Sequence, residues 1–146
     1  MALDHAAIAR CIPHAGRMCL LHAVQGWDEG QIQASAISHR APDHPLRSGG
    51  GLGVAAGIEY AAQAMAVHGS LLGGSVPRAG RLASVRGVQC HVRWLDRESD
   101  ELSITARRIS GDDAGMVYDF EIRAAGKLLL NGRASVALLP AGAGAA

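Results

Sequence analysis

Between Ser48 and Val76 of this 146-residue sequence the only full charge is Glu59, accompanied by His68. A carboxylate in so apolar a stretch is costly to bury unless it is paired, protonated or used. In its protonated form it is a general acid suited to work near neutral pH. The competing reading puts Glu59 on a solvent stripe or makes it the cap of a neighbouring amide. No second charge is present to build such a stripe, so the pattern favours chemistry. Gln63 follows four residues later on the same helical face. It can either orient the carboxylate or satisfy a backbone group. His44, in Asp43-His44-Pro45-Leu46, is the second candidate, because imidazole titrates near neutrality and is the commonest general base. A loop histidine can equally be an exposed bystander, and this chain has seven histidines. His39, His14 and His68 rank below His44 on position. The third feature is the run Gly49 to Gly53, leading straight into a helix whose first amides and positive dipole end suit a developing oxyanion. A plain hinge would look the same. The run fits neither the P-loop nor the dinucleotide-binding fingerprint.

The elements that must position these groups follow from punctuation and periodicity. Asp4 can cap a short helix ending before Pro13. Met18 to Val24 is apolar and expected to pack beneath the body. In Gln31 to Ile37, Ile32, Ala34 and Ala36 share one face, which reads as a strand. Pro42, Pro45 and the glycine run mark a loop from Arg40 to Gly53. A long helix is expected from Val54 to Leu72, with Gly73-Gly74 as its stop. Being apolar nearly all round, it should be buried nearly all round. After Pro77 the period becomes two. Val88, Cys90, Val92 and Trp94 form one alternating set, Leu102, Ile104 and Ala106 another, and Met116, Tyr118, Phe120 and Ile122 a third. A last strand is expected from Leu128 to Leu139, and Gly111 to Gly115 and Ala125-Gly126 supply the hairpin turns. The sum is an α+β architecture, five antiparallel strands wrapped around one long central helix.

Composition removes several functions. The chain is 49% hydrophobic and 18% charged, which excludes a disordered polyelectrolyte. A net charge of +1 with scattered arginines gives no footprint for nucleic acid. The most apolar stretch, Leu52 to Val67, contains Glu59 and Gln63 and is short for a membrane span. Asp4, His5 and Arg10 interrupt what would have to be a signal core, so a cytoplasmic location is expected. Three cysteines, Cys11, Cys19 and Cys90, form no close pair and suggest buried or half-buried thiols in a reducing compartment. Cys11, His14 and Cys19 match no common zinc spacing, so no metal is expected.

Ile12-Pro13-His14, followed by Met18-Cys19-Leu20-Leu21, resembles the I-P-H-R-x-P-x-L-L-x-D opening of the hotdog-fold 3-hydroxyacyl-ACP dehydratases. His44-Pro45 before a glycine-containing loop and Gly57-Ile58-Glu59-Tyr60-Ala61-Ala62-Gln63 resemble their catalytic histidine and the E-x-x-x-Q start of the hotdog helix. The G-I-E-Y-x-A-Q form is similar to the branch associated with aryl polyene-type clusters. The resemblance runs from about Ile12 to Leu139. It implies a hotdog fold over residues 1–140, with 141–146 as a flexible tail, and dehydration of 3-hydroxyacyl thioesters carried on acyl carrier protein, without cofactor or metal. It also implies roles. His44 takes the α-proton, Glu59 protonates the departing hydroxyl, Gln63 supports that carboxylate, and Gly53 and Val54 lie where a backbone amide polarises the thioester carbonyl. The pattern departs from the family in places: H-F-P-G reads His44-Pro45-Leu46-Arg47, the P-G at the helix start reads Gly53-Val54, and the aspartate of the opening is His22. His44 to Glu59 is also one residue longer than the common spacing. The competing functions are a hotdog acyl thioesterase and a non-catalytic acyl-binding subunit of a dehydratase complex.

A helix buried all round in so small a chain needs cover on both sides, and one sheet covers only one. A homodimer or higher oligomer of dimers is therefore expected, or a heterodimer with a related hotdog subunit.

Overall fold

In the computed structural model, which describes residues 2–12, 16–73, 80–112 and 114–138, a single sheet wraps one helix. Asp4 caps α1 (His5–Cys11), its carboxylate accepting from the Ala7 amide at 2.9 Å. The strands are β1 (Ala23–Trp27), β2 (Gln31–Ala36), β3 (Gly80–Cys90), β4 (Leu102–Gly111), β5 (Gly115–Ala124) and β6 (Lys127–Leu138), and the long helix is α2 (Gly57–Leu72). All neighbours are antiparallel in the order β1-β2-β4-β5-β6-β3. Pro13, His14, Gly74, Pro77 and Leu139, with the expected tail, lie outside the described residues.

The sheet has six strands, not the expected five. The addition is β1, which takes up Ala23 and Val24 at the end of the segment expected beneath the body and runs on to Trp27. It is short, contains Gly26, and its pairing with β2 slips between Val24 and Gly26. The β3 region differs too. The strand starts at Gly80 and ends at Cys90, so Val92 and Trp94 are not part of it. Instead the chain turns back, and Leu95 donates to Leu52 O at 2.8 Å.

The central strands behave as their period dictates. Ile104, Ala106, Tyr118, Phe120 and Ile122 are buried beneath α2, which packs across β2, β4, β5, β6 and β3. The β5–β6 hairpin turns on Ala125 and Gly126 with φ of 49° and 81°, the left-handed pair a two-residue turn requires. A 3-10 turn, Val54–Ala56, precedes α2. At Gly57 the helix sits so close to the sheet that a Cβ would come 2.6 Å from Leu130 Cδ2 and 3.0 Å from Ile122 Cδ1. Of the thiols, Cys19 is buried and Cys11 half-buried, whereas Cys90 is exposed, contrary to expectation.

Candidate active site

Burial around α2 is not complete. Ile58, Glu59, Ala62 and Ala66 are only half-buried and Ala55 is exposed, forming one open stripe along the helix. Glu59 thus sits in the first turn of α2 on the side the sheet does not cover.

His44 is no exposed bystander: it is 5% exposed and hydrogen-bonded at both ring nitrogens. Nδ1 accepts from the Leu46 amide at 3.0 Å, and Nε2 meets Tyr60 Oη at 2.9 Å. Tyr60 Oη in turn meets Ser38 Oγ at 2.8 Å, and Ser38 donates to Leu20 O at 2.8 Å. His44 lines a cavity of about 340 Å³ together with His5, Arg17, Cys19, Ser38 and Asp43. A larger depression of about 490 Å³ lies among Arg86, Arg107, Asp119 and Arg133, away from this constellation. Tyr60 is fully buried while Glu59, one residue before it, faces the open stripe. The hydrogen bonds of His44 run to Tyr60 and Leu46, and its ring faces the cavity beside Ser38, whereas Glu59 stands on the open stripe of α2.

Gln63 resolves in favour of the backbone. Its Oε1 accepts from Leu20 N at 2.9 Å and its Nε2 donates to Met18 O at 2.6 Å, clamping the 18–20 segment onto α2. The role implied by resemblance, support of the Glu59 carboxylate, is not what this amide does. Val54 also differs from expectation, because its amide donates to Arg93 O at 3.0 Å. The cause is the segment after β3, which leaves the sheet and pairs beside Gly53 through a bridge to Trp94. Ala56 N bonds Gly53 O, which leaves Ala55 N–H, on the exposed side of the turn, without a backbone acceptor among the described residues. The glycine loop is pinned by Asp96, which accepts from Leu52 N and from Arg47 at 3.0 Å each. Gly50 takes φ +91°, open to glycine, and Gly51 lies against Trp94 where a Cβ would come within 2.8 Å.

Tyr60 and Ser38 were not legible as site residues. Periodicity places Tyr60 in the core, and only the fold brings residue 38 beside it. His39 ranked low, yet it is buried with Nε2 on Glu98 O at 3.0 Å, and its Nδ1 has no partner among the described residues. His68 is satisfied on both sides: Nε2 donates to Asp28 O and Nδ1 accepts from Tyr118, each at 2.6 Å.

Burial pushes His39, His44 and His68 below the ordinary imidazole range, and Arg47 nearby pushes His44 in the same sense. All three are therefore neutral in the fold near pH 7, whereas in the unfolded chain they titrate near 6.5. Between the two values the unfolded chain binds more protons, so their contribution to stability is complete above the unfolded value and is lost as pH falls. The urea midpoint, followed by tryptophan fluorescence, should drop as pH is lowered from about 7 to about 5. A midpoint that rises over this range contradicts the neutral assignment.

A six-stranded antiparallel sheet around one helix, with a carboxylate in that helix's first turn, defines a hotdog-fold protein. Residues 6–141 match the ApeP-like family of ApeP dehydratases, and the chain belongs to that family. Among solved structures it is similar to the dehydratase heterocomplex ApeI:P from Xenorhabdus doucetiae, at 24% identity and TM-score 0.79 over 90% of each chain. It is also similar in fold to a thioesterase from Haemophilus influenzae, at 13% identity and TM-score 0.65, covering 94% of this chain and 91% of that one. A mutant thioesterase from Pseudomonas aeruginosa matches at 18% identity and TM-score 0.60, covering 82% of this chain and 81% of the other. No curated protein sequence matches. No helix among the described residues is long and apolar enough to cross a membrane.

Proposed function

We propose that this chain eliminates water from 3-hydroxyacyl thioesters carried on acyl carrier protein, giving trans-2-enoyl thioesters in fatty-acid-like or aryl polyene-type biosynthesis. The observation that supports this most is Glu59, half-buried on the open face of the first turn of α2, in a chain of the ApeP-like family. His44 takes the α-proton, the electron pair forms the α,β double bond, and the hydroxyl leaves as water with the proton from Glu59. The basic lone pair of neutral His44 is on Nδ1, where Leu46 N–H now donates, so that bond must open as the substrate seats. The thioester carbonyl is polarised from the helix start by Ala55 N–H rather than by the engaged Val54 amide. The working unit is a dimer, of two copies or of this chain with a related hotdog subunit, closed over the Ile58–Ala66 stripe. The ApeI:P neighbour, itself a heterocomplex, supports the latter arrangement. The proposed reaction needs no cofactor or metal and belongs to the cytoplasm.

Two observations favour other readings. The thioesterase neighbours share the fold, which suits hydrolysis. The double engagement of His44 suits a subunit that binds the acyl chain without turning it over. One assay separates all three: 3-hydroxyacyl and saturated acyl thioesters are incubated with the protein, and enoyl product and free thiol are followed. Enoyl product without thiol is expected. Thiol release alone defeats the dehydratase reading in favour of hydrolysis, and silence with both substrates favours the binding subunit.

A further inference from the structure

We infer that Tyr60 and Ser38 are positioning residues that decide which nitrogen of His44 acts as the base. The inference rests on the dehydratase reading for its kinetic consequence, but its geometry stands apart from it.

The polarity of the chain of hydrogen bonds is dictated from both ends. Leu46 N–H can only donate, so Nδ1 must offer a lone pair, and the neutral ring carries its proton on Nε2. Nε2–H therefore donates to Tyr60 Oη at 2.9 Å. The phenol, having accepted, donates to Ser38 Oγ at 2.8 Å. Ser38 ends the chain on Leu20 O at 2.8 Å, a group that can only accept. Reversing any link sets two protons or two lone pairs against each other. Of two tautomers, the surroundings admit one.

Proton abstraction then has a defined geometry. The α-proton arrives at Nδ1 and the ring becomes an imidazolium whose Nε2–H still points at Tyr60. That hydrogen bond is now charge-assisted and stronger. Tyr60 is buried and its phenol is pushed up to about 12 by burial, so it remains a phenol throughout and holds the ring without taking its proton. Ser38 engages the phenolic proton and so keeps the oxygen's lone pair turned toward His44. The other groups that act electrostatically on the ring are Arg47, His39 and Asp43. None of these lies in the chain of bonds, so Leu46, Tyr60 and Ser38 set the resting tautomer, and once the Leu46 bond opens Tyr60 and Ser38 keep the proton on Nε2.

The test uses full-length protein and two variants, Tyr60→Phe and Ser38→Ala, with nitrogen-resolved NMR of His44 and pH profiles of kcat and KM. Wild-type His44 should show the Nε2–H tautomer. Tyr60→Phe keeps the ring and its packing but removes the acceptor. Its kcat should fall by about 10- to 100-fold, the range of one hydrogen bond to a charged group, with KM little changed. The titration of His44 and the acid limb of kcat should both move to lower pH, because the protonated ring has lost its partner. A purely structural lesion that admitted water would move them upward instead. Ser38→Ala should act in the same direction with smaller amplitude, and it carries the test if Tyr60→Phe does not fold. An Nδ1–H tautomer in the wild type, or a His44 titration unmoved in both variants, overturns the inference. A wild-type protein inactive on every 3-hydroxyacyl thioester defeats the dehydratase reading, and the NMR arm still decides the tautomer.

Discussion

Glu59→Gln should lower kcat for dehydration by about 10²- to 10⁴-fold, the contribution typical of a general acid, and leave the fold intact. Glutamine has the size and shape of glutamate, and the side chain is only half-buried at the start of α2, so the change opens no cavity and strands no amide in a dry core. What disappears is the proton delivered to the leaving hydroxyl. KM should change little, because the shape presented to the acyl chain is unaltered. A variant that retains most of its rate makes Glu59 a structural carboxylate and removes the mechanism. The same measurement ranks the histidines. His44→Ala should be inactive and His39→Ala active. The opposite result transfers the base to His39, whose Nδ1 is buried and lacks a partner among the described residues.

The second large effect is a recovery. His44→Ala and Glu59→Ala, each inactive alone, should regain activity when mixed under conditions that exchange subunits. The expectation rests on Glu59 lying on the half-buried stripe of α2 that a second helix would cover. If His44 of one subunit works with Glu59 of the other, a mixed dimer has one site carrying both lesions and one carrying neither. Random mixing makes half the dimers mixed, with one live site in two, so roughly a quarter of wild-type activity should return. Sites built within single chains keep one lesion each and nothing returns. A dead mixture whose subunits are shown to have exchanged therefore rejects the shared site. A monomer by light scattering rejects the homodimer and leaves the pairing with a related subunit.

How much of this was legible depended on whether a signal was local. Met116, Tyr118, Phe120 and Ile122 alternate without interruption, and the strand through them was plain from sequence. The start of β3 was not. Its pairing with β6 slips between Leu82 and Ser84 and again between Arg86 and Gln89. The half-buried residues consequently fall at Leu82, Val85 and Val88, a spacing of three that disguises a strand. Glu59 could be found because it is the one charge in an apolar helix. Gln63 was grouped with Glu59, but it is buried, and its partners, Leu20 N and Met18 O, are backbone groups more than forty residues away that leave no mark in side-chain spacing. Ser38 and Tyr60 were invisible because only the fold brings the loop of residue 38, the His44 loop and α2 together. The engagement of the Val54 amide was not legible, because the segment that takes it, at Arg93, read as a continuation of a strand.

The bare α-carbon at Gly57 has a consequence for the chemistry two residues further on. Because nothing projects from the helix at that point, the depth at which α2 rests is gauged by the tips of Leu130 and Ile122, reaching up from the sheet. The first turn, and Glu59 with it, is shimmed from below by two methyl-bearing side chains of the sheet. Trimming or lengthening either would lower or raise the Glu59 carboxylate relative to the open face of the helix. The alignment of this carboxylate is thus adjustable from the hydrophobic underside of the helix, without altering any residue of the site.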